Sequence, residues 1–157
     1  MKESLENYLK RLESNGLLKK ERIGIDQVKA LLQGASKNIL ASEKNLSIDE
    51  EACYTLAYNA MLKTARALVF LQGFRPSDGQ QHKTTIEVAG ELLGKELSDL
   101  IGMFDKMRKK RNQFTYDPML PLSLTEAKAA LRTADDFYRK VKGFLDKKYP
   151  QLKLFHQ

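Results

Sequence analysis

The sequence predicts an all-α fold, an up-and-down bundle of four to five helices with a short N-terminal helix ahead of it. Three observations carry this reading. Apolar residues recur at spacings of three and four through most of the chain, the period of a helix with one buried face. Helix-start and helix-stop residues punctuate that pattern. No segment alternates as a half-buried strand does, and 9 Gly and 4 Pro are too few for a loop-rich sandwich. With 157 residues, and about 100–200 per domain as a guide, the chain supports one core. The division it suggests is an N-terminal helix and linker over 1–25, a helical bundle over 26–149 and a tail over 150–157.

The elements follow in order. The first helix spans about Ser4 to Ser14 and stops at Asn15-Gly16. The second, about Asp26 to Lys44, starts on Asp26 as a cap and sets Val28, Leu31, Leu32, Ala35, Ile39 and Leu40 at helical spacing. The third opens at Ser47 or Asp49 and runs to Gln72, closed by Gly73. Its small or apolar residues come in pairs four apart, Cys53 with Ala52, then Leu56/Ala57, Ala60/Met61, Thr64/Ala65 and Leu68/Val69. So broad a stripe marks a helix packed on more than one side, and it makes Cys53 a buried, inert thiol. Phe74 to Gly79 reads as a loop. A fourth helix, about Gln80 to Leu93, ends at Gly94, and a fifth begins near Lys95. The last opens on the capping box Ser123-Leu124-Thr125-Glu126 and stops before Pro150.

Composition excludes several functions. The lone Cys53 rules out an internal disulfide framework, and two histidines, His82 and His156, argue against a protein-held transition metal. No cofactor motif stands out: Gly90-Glu91-Leu92-Leu93-Gly94 lacks the Lys-Ser/Thr ending of a phosphate loop. No apolar run approaches a membrane span, and the charged start MKESLENYLKRLES is unlike a secretory leader, so a cytoplasmic protein with no membrane partner is expected. Lys and Arg total 27 against 20 Asp and Glu, a net charge of +7 that permits binding to nucleic acid without requiring it.

The positive charge is concentrated. Lys106, Arg108, Lys109, Lys110 and Arg111 crowd the fifth helix, and Arg139, Lys140, Lys142, Lys147 and Lys148 the last. Following the stripe Leu97, Leu100, Ile101, Phe104, Met107, the next positions on that face are Arg108 and Arg111, with Asn112 one turn beyond Arg108. Two readings stay open. The guanidiniums hold a phosphate in a cleft, which their planar fork suits, or they form structural ion pairs with Asp105, Asp135 or Asp136.

The segment from Met107 to Asp117, MRKKRNQFTYD, resembles the signature region of the HEPN superfamily of small α-helical domains. The likeness extends to Ala57-Tyr58-Asn59-Ala60 and Ala65-Arg66-Ala67-Leu68 in a long helix, to Gly73-Phe74-Arg75 at its exit, and to His82 soon after the turn; it covers about Asp26 to Tyr149. Many such domains are metal-independent endoribonucleases whose motif is an arginine, often followed by a polar residue, with a histidine five to seven positions on. Arg111-Asn112 matches the first part. The histidine does not: Tyr116 stands where it is expected.

The departure bears on mechanism. Cleavage by 2′-hydroxyl attack needs a proton removed, a proton delivered and phosphorane charge stabilised. Arg108 and Arg111 suit the last role, whereas a tyrosine with an ordinary pKa near 10 is a poor base at neutral pH. The resemblance therefore implies Arg111, Asn112, Tyr116 and His82 as catalytic candidates and Arg108, Lys109, Lys110 and Arg111 as nucleotide- or RNA-binding candidates. It also implies a homodimer, and a nucleotidyltransferase or toxin–antitoxin partner. Three function classes follow: a non-catalytic binding module for RNA or a nucleotide, a toxin-like endoribonuclease, and a structural subunit without a ligand.

Overall fold

Pairs of small and apolar residues four apart give a helix a broad buried surface, and the structure uses that segment as its centre. The computed structural model describes residues 3–77 and 81–152. The elements are α1 (Leu5–Ser14), β1 (Leu18–Lys20), α2 (Ile25–Asn45), α3 (Glu50–Leu71), β2 (Phe74–Pro76), α4 (Gln81–Leu93), α5 (Ser98–Tyr116) and α6 (Leu124–Lys148). Single 3-10 turns at Lys95–Leu97 and Pro150–Leu152 precede α5 and follow α6. Helix α3 packs against α2, α4, α5 and α6. Ala57, Ala60, Ala65 and Ala67 are fully buried along it, which lets neighbouring backbones approach closely.

The core is stitched by aromatic rings from three helices. Tyr58 of α3 meets Phe104 of α5 with ring centroids 5.7 Å apart, and Phe104 meets Phe137 of α6 at 5.5 Å. All three rings are 0% exposed. The edge-on and tilted arrangements are those that the ring quadrupoles favour. Cys53 is also fully buried, with its Sγ 3.3 Å from the Ser42 hydroxyl.

Local chemistry accounts for the helix ends. Asp49 caps α3 by accepting from the Glu51 and Ala52 amides, and the reciprocal bonds of Ser123 and Glu126 open α6. Gly16, Gly73 and Gly94 sit at φ of 78°, 81° and 77°, each just past a helix, in the left-handed region that side chains disfavour. Helix α2 corrects the expected cap. Its N-cap is Gly24, and Asp26 lies within the first turn, where its charge suits the helix dipole.

The expectation of no strands also needs correction. Segments β1 and β2 pair antiparallel, with Leu18 opposite Pro76, Lys19 opposite Arg75 and Lys20 opposite Phe74. At three residues each they are too short to show an alternating pattern. They form because Leu9, Leu12, Leu18, Val69, Phe74 and Val88 share a second buried cluster, which draws α1 and β1 against α3 and α4. At the other end, Leu152 is 1% exposed and joins the main core.

Truncation of Phe104 to Ala removes the middle ring of the stitched core. We expect a loss of about 3–5 kcal/mol in unfolding free energy, read by urea denaturation followed by circular dichroism.

Candidate functional site

The apolar stripe of α5 continues past the arginines to Phe114, which is buried and packs edge-on to Tyr54 at 5.5 Å. Arg108 and Arg111 are therefore set beside a stripe that stays in the core. Both are partly buried, and they behave differently. The Arg108 Nε donates to Asp105 Oδ1 at 2.9 Å, and Lys109 Nζ lies 3.3 Å from the other oxygen of the same carboxylate. Burial alone would raise the pKa of Asp105, but the hydrogen bonds and charges of Arg108 and Lys109 outweigh it and hold the group below the ordinary carboxylate value. Lys110 pairs with Glu126 at 3.2 Å, so this cation also has a counter-ion.

Arg111 pairs with no carboxylate among the described residues. Its Nε is buried and donates to no partner among the described residues, and its guanidinium carbon lies 5.7 Å from the centre of the Tyr58 ring. That ring face is a favourable seat for a cation, but it supplies no hydrogen-bond acceptor. The Tyr58 hydroxyl, in turn, is 3.0 Å from Nδ1 of His82 in the first turn of α4. One buried tyrosine thus links a guanidinium on α5 to an imidazole on α4.

The charges of the cluster fix protonation states. Burial pushes the Tyr58 phenol up to about 12, so it stays protonated at neutral pH. Burial, followed by the positive charges of Arg111, Arg66 and Arg108, lowers the pKa of His82 below 6.5. The imidazole is therefore neutral at pH 7. Its Nε2 makes no hydrogen bond with the described residues. If the phenol donates to Nδ1, the proton sits on Nε2 and that nitrogen is a donor for a phosphate oxygen. If Nδ1–H donates to the phenol, Nε2 is a base.

The other sequence candidates lie apart from this cluster. Tyr116 is 86% exposed at the end of α5. Asn112 is exposed and makes no hydrogen bond with the described residues, and Lys109 is exposed apart from its ion pair. His156 lies outside the described residues. On α6, Arg139 and Lys140 pair with Asp135 and Asp136 one turn away, as a solvated helix face does. No group of three or more His, Cys, Asp or Glu is placed to hold a metal ion among the described residues, and none of their helices is long and apolar enough to cross a membrane.

Tyr58, Arg66 and Arg75 join the site without having been singled out as functional by their spacing. A cavity of about 240 Å³ opens beside His82, lined by Arg66, Arg75 and Phe70 among others. Arg75 reaches it because Gly73 turns the chain at a positive φ and β2 then runs back against β1.

Comparison with known proteins identifies the class. A family model described as HEPN domain matches residues 28–144, which hold Tyr58, Arg66, Arg75, His82, Arg108 and Arg111. The chain belongs to the HEPN domain family. The comparison with curated proteins gave no match.

The His82 titration is the direct check on this electrostatic arrangement. Proton NMR of the imidazole should give a midpoint below 6.5 that rises in Arg111→Ala, with His156→Gln used to assign the resonance. Because the folded state disfavours the proton, His82 contributes its full stability above the unfolded value of 6.5. That contribution is lost as pH falls from there through the folded value.

Proposed function

We propose that this HEPN domain is an RNA- or nucleotide-binding module that holds phosphate at Arg111 and His82. The observation that carries the reading is the Arg111 guanidinium, partly buried, with an unpartnered Nε and no carboxylate beside it among the described residues. Placing a charge there is costly unless an anion completes it, and the planar fork of arginine matches two phosphate oxygens. Arg108 adds positive potential from a position fixed by Asp105. His82 with the proton on Nε2 supplies a further neutral donor. A purely structural role fits less well, because the Arg108–Asp105 pair lies within one helix and ties no elements together. The proposal includes a homodimer and a nucleotidyltransferase-type or toxin–antitoxin partner, the arrangement that the family resemblance implies.

A second reading, a metal-independent endoribonuclease, is favoured by the position of His82. The histidine missing five residues after Arg111 has a counterpart in space, within reach of the same tyrosine and arginines. In this reading the unprotonated Nε2 takes the 2′-hydroxyl proton. The 2′-oxygen bonds to phosphorus, the bond to the 5′-oxygen breaks, and Arg111 and Arg108 stabilise the charge on the phosphorane. The proton reaching the 5′-oxygen comes from water or from the imidazolium.

Fluorescence anisotropy with a labelled oligoribonucleotide in EDTA tests the first reading. Arg111→Ala should weaken binding about tenfold or more, as expected for one charge-assisted contact, while Tyr116→Phe leaves it unchanged. Gel analysis of the same mixtures separates the second reading: intact RNA supports a binding module, and cleavage that His82→Gln abolishes supports the nuclease. Sedimentation at tens of micromolar should show a dimer, and a monomer there removes the homodimer from the proposal.

A further inference from the structure

The cavity beside His82 is distinct from the Arg111 seat and has its own cations. Arg66 projects from α3 with its guanidinium carbon 5.5 Å from the centre of the Phe70 ring, and it forms no ion pair with a carboxylate among the described residues. Arg75, on β2, has its Nε 3.3 Å from a Glu21 oxygen, close enough for charge attraction. That Nε nevertheless has no aligned hydrogen-bond partner, although the atom is buried. The pair is thus poorly seated, with side chains 36% and 46% exposed, and exposed pairs of this kind are weak. A phosphate oxygen aligned with the guanidinium makes the better partner. Among the described residues, two arginines face one carboxylate, which gives the cavity a surplus positive charge.

The remaining wall and the size of the space narrow the ligand. Phe70, Leu62 and Pro76 give apolar surface beside the cations. At about 240 Å³ the cavity is smaller than the roughly 300–1,000 Å³ pockets that enclose a whole small-molecule ligand. It has room for one part of a longer molecule. His82 lines this cavity and also bonds to Tyr58, whose ring carries Arg111, so the two cationic seats share that imidazole.

We propose that Arg66 and Arg75 form a second phosphate subsite, and that the ligand is a single-stranded oligoribonucleotide with neighbouring phosphates held at the two seats. This rests on the phosphate-binding reading of Arg111 given above and extends it from one phosphate to a chain. A mononucleotide satisfies only the Arg111 seat, and the oligonucleotide satisfies both.

The test compares a fluorescein-labelled octaribonucleotide with AMP and inorganic phosphate as unlabelled competitors, across a salt series. Arg66 is exposed and without a carboxylate partner among the described residues, so Arg66→Gln should fold normally, which its melting curve checks; Arg66→Lys is the conservative variant. Arg66→Gln is expected to weaken the octamer about tenfold and to reduce the slope of log K against log salt by about 0.7, with AMP affinity unchanged. Arg66→Lys keeps the slope, and Arg111→Ala weakens octamer and AMP together. An Arg66→Gln protein that binds the octamer with wild-type affinity and slope overturns the second subsite and leaves the Arg111 reading standing. Equal weakening of AMP and octamer by Arg66→Gln also overturns it, because the two seats are then one. Binding that survives Arg111→Ala but not Arg66→Gln keeps the subsite and removes Arg111. A wild-type protein that binds neither RNA nor AMP removes both.

Discussion

The Tyr58 ring is wholly in the core, against Phe104, while its hydroxyl reaches His82 and one face lies under Arg111. A phenol is suited to this because it has a large apolar body and one polar tip. Its position is set by α3 packing against four other helices, so the candidate site inherits the rigidity of the core. The guanidinium and imidazole come from different elements, α5 and α4, and the tyrosine holds their relative placement. Groups supported in this way need little ordering when an anion arrives.

The two partly buried arginines of α5 illustrate how a helix divides its charges. Arg108 is three residues after Asp105 and finds its carboxylate within the helix. Arg111 is seven residues after Phe104 and, among the described residues, has an aromatic face in place of a carboxylate. Their sequence context is similar, but one is internally neutralised and the other is not. The result is a local positive potential with a definite focus rather than a diffuse basic surface. Burial first, and that potential second, lower the pKa of His82, so charge and proton state in the cluster follow from the same packing.

Much of the fold was legible in the sequence because helices announce themselves locally. The capping box at Ser123, the glycine stops at 16, 73 and 94, and the paired stripe of α3 each depend on residues within a few positions of one another. Helical spacing likewise set Arg108 and Arg111 next to the core stripe. The contact between His82 and Tyr58 was not legible, since 24 residues and a turn separate them and only the packing of α4 on α3 closes the gap. The β1–β2 pairing was hidden for a related reason: strands of three residues carry no period, and their partners lie far apart in the chain. Spacing alone also left Arg111 free to be either ion-paired or unpaired, because a helical wheel shows direction but not what stands opposite.

The small sheet also shapes the recess beside His82. Its first strand and Glu21 lie ahead of residue 28, where the family match begins, yet they brace the strand that carries Arg75. The wall of the His82 cavity is therefore shared between residues of the matched segment and Glu21 ahead of it. A substitution at Glu21 therefore reaches the recess through the seat of Arg75 while leaving every helix untouched.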